Sequence, residues 1–265
     1  MDVTRAQLEA GALGLLHGPV ELLPVSSSAH VETLPWLLRW EVASWDGAAR
    51  KELEVALHAG TAAALLLLLA PDPWIRLNPR RLGLRVAALV PPALAGLALE
   101  RPIEERLRGP LALALGLVAG GAALALGDRV APARRSDDAD WRDGLWLGLA
   151  QACALVPGVS RSGATLAAAR ARRFDRPAAS ELSWEVGLPV LLGAGGLKTW
   201  RVLTAGGRHE RGRALVAAAA AAFVSTLVAG RAIGMQRRAP LWRWAAWRVG
   251  LAASILLVRE NRGRD

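Results

Sequence analysis

Residues 111–127 contain no polar side chain, and residues 214–230 contain only Ser225 and Thr226. As helices, such runs approach the roughly 20 residues that cross a hydrocarbon core. A water-facing helix of that length would carry a charged stripe at 3.6-residue spacing, and neither run has one. Residues 53–70, 82–99, 182–197 and 241–258 are apolar or nearly so. In lipid every backbone polar group must be satisfied internally, so segments of this kind fold as helices. The expected fold class is all-α and integral to a membrane, with about six transmembrane helices.

Bulk composition alone would not decide this. A chain of 265 residues that is 53% hydrophobic, with a mean hydropathy of +0.27, fits a large soluble domain as well as a compact polytopic one. A net charge of +10 would point to nucleic acid in a soluble protein. Here the arginines mostly lie between apolar segments, where anionic lipid headgroups suit them better, and no nucleic-acid partner is expected. Cys153 is the single cysteine, which excludes an intramolecular disulfide and any CxxC motif. The start, Met1-Asp2-Val3-Thr4-Arg5, lacks the pattern of a removable signal peptide, so the first apolar segment is expected to stay. Trp36, Trp40, Trp74, Trp141, Trp200, Trp242 and Trp244 stand near segment ends, as interfacial anchors do.

Two further apolar stretches are too short and too interrupted to cross. Residues 8–23 carry His17, Pro19 and Glu21, break at Pro24 and resume over residues 30–40. Residues 144–156 break at Pro157 and resume from Ala164 into Arg170, Arg172 and Arg173. Each reads as a re-entrant helical hairpin, tolerated at depth only where protein or a water-filled cavity surrounds it. Each also precedes three longer spans, so a single polytopic domain divides into halves at approximately 1–127 and 140–258. Three crossings between the hairpins leave the second on the opposite side, which makes the repeat inverted. Loops 72–81, 128–142 and 234–240 then share one side. Arginine is plentiful on both sides and does not orient the chain.

The hairpin breaks carry the chemistry. Pro157-Gly158-Val159-Ser160-Arg161-Ser162-Gly163-Ala164-Thr165 sets an arginine among small and hydroxyl residues, a costly place for charge unless it holds an anion or lines a polar cavity. Pro24-Val25-Ser26-Ser27-Ser28-Ala29-His30 has the same form, with Glu21 just before it. Serines after a helix break cap the next helix, and such helix starts attract phosphate through free amides and the macrodipole. Arg161 adds a planar fork matched to phosphate oxygens. Glu21, Ser26, Ser27, Ser28 and His30 add a carboxylate, hydroxyls and an imidazole. Either a hydroxyl attacks phosphorus with His or Glu as base, or Glu21 holds a divalent cation and water attacks. The blander alternatives are plain caps for the serines, a structural charge for Arg161 and packed polar roles for His30 and His17. Glu54 and Glu185 either line the cavity or pair with arginine, and Gln151 either bonds across the hairpins or is structural.

The segments GPVELLPVSSSAH and QACALVPGVSRSGATL together resemble the undecaprenyl-diphosphate phosphatase (bacitracin-resistance) family. The second is close to that family's PGxSRSxxT signature. LVPPALAGLALERPIEERL, ALGLVAGGAALALGDR, SWEVGLPVLLGAG and the C-terminal WRVG look like divergent versions of family segments. The resemblance implies a membrane enzyme with two re-entrant hairpins in an inverted repeat. Such an enzyme removes the terminal phosphate of undecaprenyl diphosphate at the outer face of the bacterial cytoplasmic membrane and recycles the carrier for cell-wall synthesis. It further implies Glu21, Ser27, His30 and Arg161 as catalytic residues, with Ser27 the favoured nucleophile. Ser26, Ser28, Gly158, Ser160, Ser162 and Thr165 are implied around the substrate. A divalent cation, Mg2+ or Ca2+, is expected at Glu21 with His17. His17 stands where the family has Glu or Gln, Ala29 replaces a Gly, and His58 occupies a glutamine position. The rival readings are a polyprenyl-phosphate transporter or flippase, since this architecture also serves transport, and a catalytically weakened paralogue that binds lipid phosphates. A homodimer is compatible with the sequence.

Overall fold

The computed structural model describes residues 4–69, 81–107, 109–204, 211–230 and 239–262. Trp74 and the loop residues 72–80 and 234–238 lie outside the described residues. The elements in chain order are α1 (Arg5–Leu22), α2 (Ser27–Leu38), α3 (Gly47–Leu69), α4 (Leu82–Arg106), α5 (Pro110–Asp128), α6 (Trp141–Cys153), α7 (Arg161–Ala171), α8 (Arg176–Thr204), α9 (Gly212–Ala229) and α10 (Leu241–Arg262). Both proline-broken stretches are helix pairs, α1–α2 and α6–α7, as their interrupted apolar runs predict.

Among the described residues, four helices, α4, α5, α9 and α10, are long and apolar enough to cross a membrane by length and composition. They turn large apolar side chains outward, with Leu97 79% and Val228 74% exposed, a surface stable against lipid rather than water. The other two expected spans, α3 and α8, have 23 and 29 residues but carry Glu54 and His58, and Glu181 and Glu185. Ionisable groups within such helices face protein interior or a polar cavity.

The chain forms two compact units, each drawing on both sequence halves: residues 1–22, 30–72 and 191–232 in the first, and 23–29, 73–190 and 233–265 in the second. In the first, α1 and α3 both pack on α9 around Leu13, Leu57, Ala214, Ala218 and Ala222. Small residues allow the approach, as at membrane helix interfaces generally: a Cβ on Gly14 would strike the backbone of α9 at Ala218, and one on Gly60 would strike it at Ala219. In the second, α6 packs on α4, and α5 packs on α7 and α10. Leu84, Ala88, Leu147, Leu166, Phe174 and Leu182 form its main core.

The packing is reciprocal. The first helix of each hairpin lies on the middle long helix of the other half, α1 on α9 and α6 on α4. One constant sequence offset relates Glu9 to Asp143, Gly14 to Gly148, His17 to Gln151, Ser26 to Ser160 and Arg39 to Arg173. The last two pairs share a backbone peculiarity: φ is +72° and +63° at the serines, +54° and +68° at the arginines.

Candidate active site

In the second unit, α6 begins with Asp140 as N-cap, its carboxylate accepting from the Arg142 and Asp143 amides. The helix stops before Pro157, and the chain crosses α5 at Gly158, where φ is +88° and a Cβ would strike the Leu113 carbonyl. Ser160 then caps α7, its Oγ accepting from the Gly163 amide at 3.3 Å, and Arg161 is the first residue of that helix. Ser160 and Ser162 hydroxyls are 3.3 Å apart. The upstream break repeats this arrangement, with Ser26 and Ser28 hydroxyls 3.3 Å apart at the start of α2. A serine at positive φ costs roughly 1–3 kcal/mol, and such strain is concentrated at functional sites.

Residues 23–29 belong to this same unit, and two contacts tie the breaks together. Ser162 Oγ donates to the Leu23 carbonyl at 3.4 Å. Arg248, fully buried on α10, donates from Nη2 to the carbonyls of Gly158 at 2.6 Å and Val159 at 2.8 Å. Its Nη1 reaches the Pro24 carbonyl at 3.4 Å and its Nε the Leu117 carbonyl at 3.3 Å. Carbonyls freed by a broken helix need donors when buried, and this one guanidinium serves both breaks. Gly158, Ser26, Ser28, Ser160, Ser162 and Arg161 are thereby held in one unit with two helix starts. Ser26 is buried, Ser27 half-buried and Ser28 exposed.

The Arg161 guanidinium stands 5.6 Å over the ring of Trp184 on α8. Gly187, one turn on, leaves the space it occupies, since a Cβ there would strike Nη1. Thr165 serves the scaffold: its hydroxyl lies 2.6 Å from Ser183 Oγ and 3.1 Å from the Arg161 carbonyl, linking α7 to α8. Glu185 accepts from Arg81 at 2.5 Å and Arg85 at 3.0 Å, so of its two readings the arginine pair holds. Gln151 donates to the Ala88 carbonyl at 3.3 Å, a bond within this unit.

The first unit holds the imidazoles. His17 and Glu21 lie one turn apart on α1, and His58 faces them from α3. Glu21 Oε2 is 4.0 Å from His58 Nε2, and the two rings meet edge to face with centroids 4.8 Å apart. One ligand atom from each of the three residues falls within 4.8 Å of the others. His30, on α2, is buried in the same unit.

Two residues of weight escaped the sequence reading. Arg248 was one arginine among many, and its partners are backbone carbonyls that no motif announces. His58 was visible only as a departure from a glutamine position; its place beside His17 depends on α1 and α3 sharing α9.

A family model described as "Bacitracin resistance protein BacA" matches residues 10–254. A protein of Geobacter sulfurreducens named undecaprenyl-diphosphatase is 42% identical over 207 residues, covering 72% of this chain and 75% of the relative. Proteins of the same name from Geobacter metallireducens and Moorella thermoacetica are 33% and 35% identical, covering 96% and 95% of this chain and 99% and 97% of theirs.

Proposed function

The chain belongs to the bacitracin resistance protein BacA family, and we propose that its two hairpin breaks and the Glu21–His30 stretch divide the work of a lipid diphosphatase. The protein is a multi-pass membrane phosphatase that converts undecaprenyl diphosphate to undecaprenyl phosphate. The observation that carries the division is the tethering of both serine-bearing helix starts by Arg248 within one unit.

The starts of α2 and α7 present amides and hydroxyls to the diphosphate, and Arg161 draws the charge of its terminal phosphoryl group. Attack at the terminal phosphorus by Ser27 Oγ, or by water, forms the new P–O bond as the bond to the bridging oxygen breaks. The electron pair leaves on that oxygen as undecaprenyl phosphate. Ser27 and His30 are one turn apart on α2, which suits His30 to take the proton of the attacking hydroxyl; the family resemblance implies a catalytic role for Glu21 as well. If Ser27 attacks, water then releases phosphate from it. His17 and Glu21 fit a divalent cation, because His17 Nε2 is buried with no hydrogen-bond partner; when bound, the cation would neutralise phosphate charge. Mg2+ or Ca2+ is the ion that the resemblance implies for this place.

The same reading puts the protein in the bacterial cytoplasmic membrane with its site open to the outer face. There it recycles the lipid carrier and confers bacitracin resistance, with arginine-rich loops against anionic headgroups; a homodimer is compatible with it. Phosphate release from undecaprenyl diphosphate by the purified protein, with and without Mg2+ or Ca2+, tests the activity. Lipid binding without release under every condition would overturn it and leave the transporter reading.

A further inference from the structure

We infer that His17, Glu21 and His58 form a two-imidazole, one-carboxylate site for a first-row transition-metal dication such as Zn2+, Co2+ or Mn2+, in preference to Mg2+ or Ca2+. His58 Nδ1 lies 2.8 Å from the Glu54 carbonyl; a carbonyl only accepts, so Nδ1 carries the proton and Nε2 presents its lone pair. That lone pair is on the side of Glu21, 4.0 Å from Oε2.

His17 also has an oxygen partner at Nδ1. Its Nδ1 is 2.9 Å from Thr61 Oγ1, which accepts from the Thr226 hydroxyl at 3.3 Å. The same Thr226 hydroxyl lies 2.6 Å from the Ala222 carbonyl. The tautomer that would bind a metal donates Nδ1–H to Thr61 Oγ1 and leaves Nε2 bare. This Nε2 is wholly buried with no hydrogen-bond partner, an expensive state for a polar atom. An imidazole whose Nδ1 is fixed by a carbonyl and whose Nε2 faces a carboxylate, as in His58, has the outer-shell arrangement of metal-binding histidines, and the oxygen partner at His17 Nδ1 suits the same role.

The donor set decides the class of ion. Mg2+ and Ca2+ take oxygen ligands, whereas imidazole nitrogen suits Zn2+ and its neighbours. Three protein ligands leave a coordination position open, as catalytic rather than structural sites do. The ligand atoms already lie within 4.8 Å of one another, and small side-chain movements bring them to metal bonds of about 2.0–2.2 Å. α1 and α3 are both fixed on α9 through Gly14 and Gly60, so the scaffold is preformed. That this ion would serve a diphosphate substrate rests on the phosphatase reading; that it binds does not.

The test uses the full-length protein, stripped of metal in detergent and titrated with CoCl2, then with ZnCl2 in competition. The readouts are Co2+ d–d absorption and bound metal by elemental analysis. One equivalent per chain is expected, displaced by Zn2+ and not by a hundredfold excess of Mg2+ or Ca2+. The conservative variants H17Q and H58Q should each weaken Co2+ binding at least tenfold and alter the spectrum. The double variant H17E/H58Q should shift preference toward Mg2+ and Ca2+. Absence of Co2+ and Zn2+ binding in the folded protein, or binding unchanged in both single variants, overturns the site. Because these readouts are independent of phosphate release, failure of the site and failure of the phosphatase reading are told apart.

Discussion

If Arg161 grips phosphate as proposed, Gly187 matters to the reaction although it has no side chain. A methyl group there would meet the end of the flexible Arg161 side chain rather than backbone, so the guanidinium can move aside at little cost to the fold. Gly187→Ala is therefore expected to leave the melting temperature within about 2 °C of wild type while lowering kcat/KM about tenfold or more. Arg161→Ala should lose more, about 100- to 1000-fold, equivalent to about 3–4 kcal/mol of transition-state stabilisation. Phosphate-release kinetics beside a thermal melt check both. Unchanged kinetics in either folded variant would remove Arg161 from the phosphate grip. Arg161 itself was legible as a cation in a costly place, flanked by small residues. The glycine that makes its room was not, since the two lie on different helices, α7 and α8.

At the scale of an element, the second hairpin is held at its mouth by Asp143. Its buried carboxylate accepts from Arg134 at 2.9 and 2.6 Å and from Arg172 at 2.8 Å, and it closes a capping box with Asp140. Burial acts to raise its pKa, but hydrogen bonds from Arg134, the Asp140 amide and Arg172 outweigh that and hold it at about 2, against an ordinary 3.8. A depressed carboxylate stabilises fully above its unfolded value and loses that contribution as pH falls through the folded one. Wild-type thermal stability should thus drop between about pH 4 and pH 2, with a smaller drop in Asp143→Asn, which should also be about 1–3 kcal/mol less stable at neutral pH. Melts across that pH range decide it; identical profiles would show that Asp143 contributes no such linkage. The hairpin itself was legible because Pro157 cuts an apolar run too short to cross. The Arg134–Asp143–Arg172 lock was not, since charges at a segment boundary look alike until the chain folds back.

Across the whole molecule, the order of elements carries its own prediction. If α3, α4 and α5 each cross the membrane, the chain before α3 and the chain after α5 lie on opposite sides. Ser44→Cys and Ala133→Cys, each placed in a Cys153→Ser background, should react with a membrane-impermeant thiol reagent from opposite faces of sealed vesicles. Labelling of both from one face would rule out three crossings. Much of this plan was readable in advance: charge-free runs set the spans, prolines set the breaks, and repetition of the pattern set the repeat. The reciprocal seating of α1 on α9 and α6 on α4 was not readable, because alanine- and glycine-rich faces fit many partners and the choice is made by packing.

Arg248 lies on α10, the last helix described, while the carbonyls it serves come from Pro24, Gly158 and Val159. During synthesis the first break emerges early and the second past the midpoint, each without the donor that will hold it. A nascent chain still lacking α10 leaves both breaks without this donor, so the proposed site is expected to take its final form only once the last helix is in place.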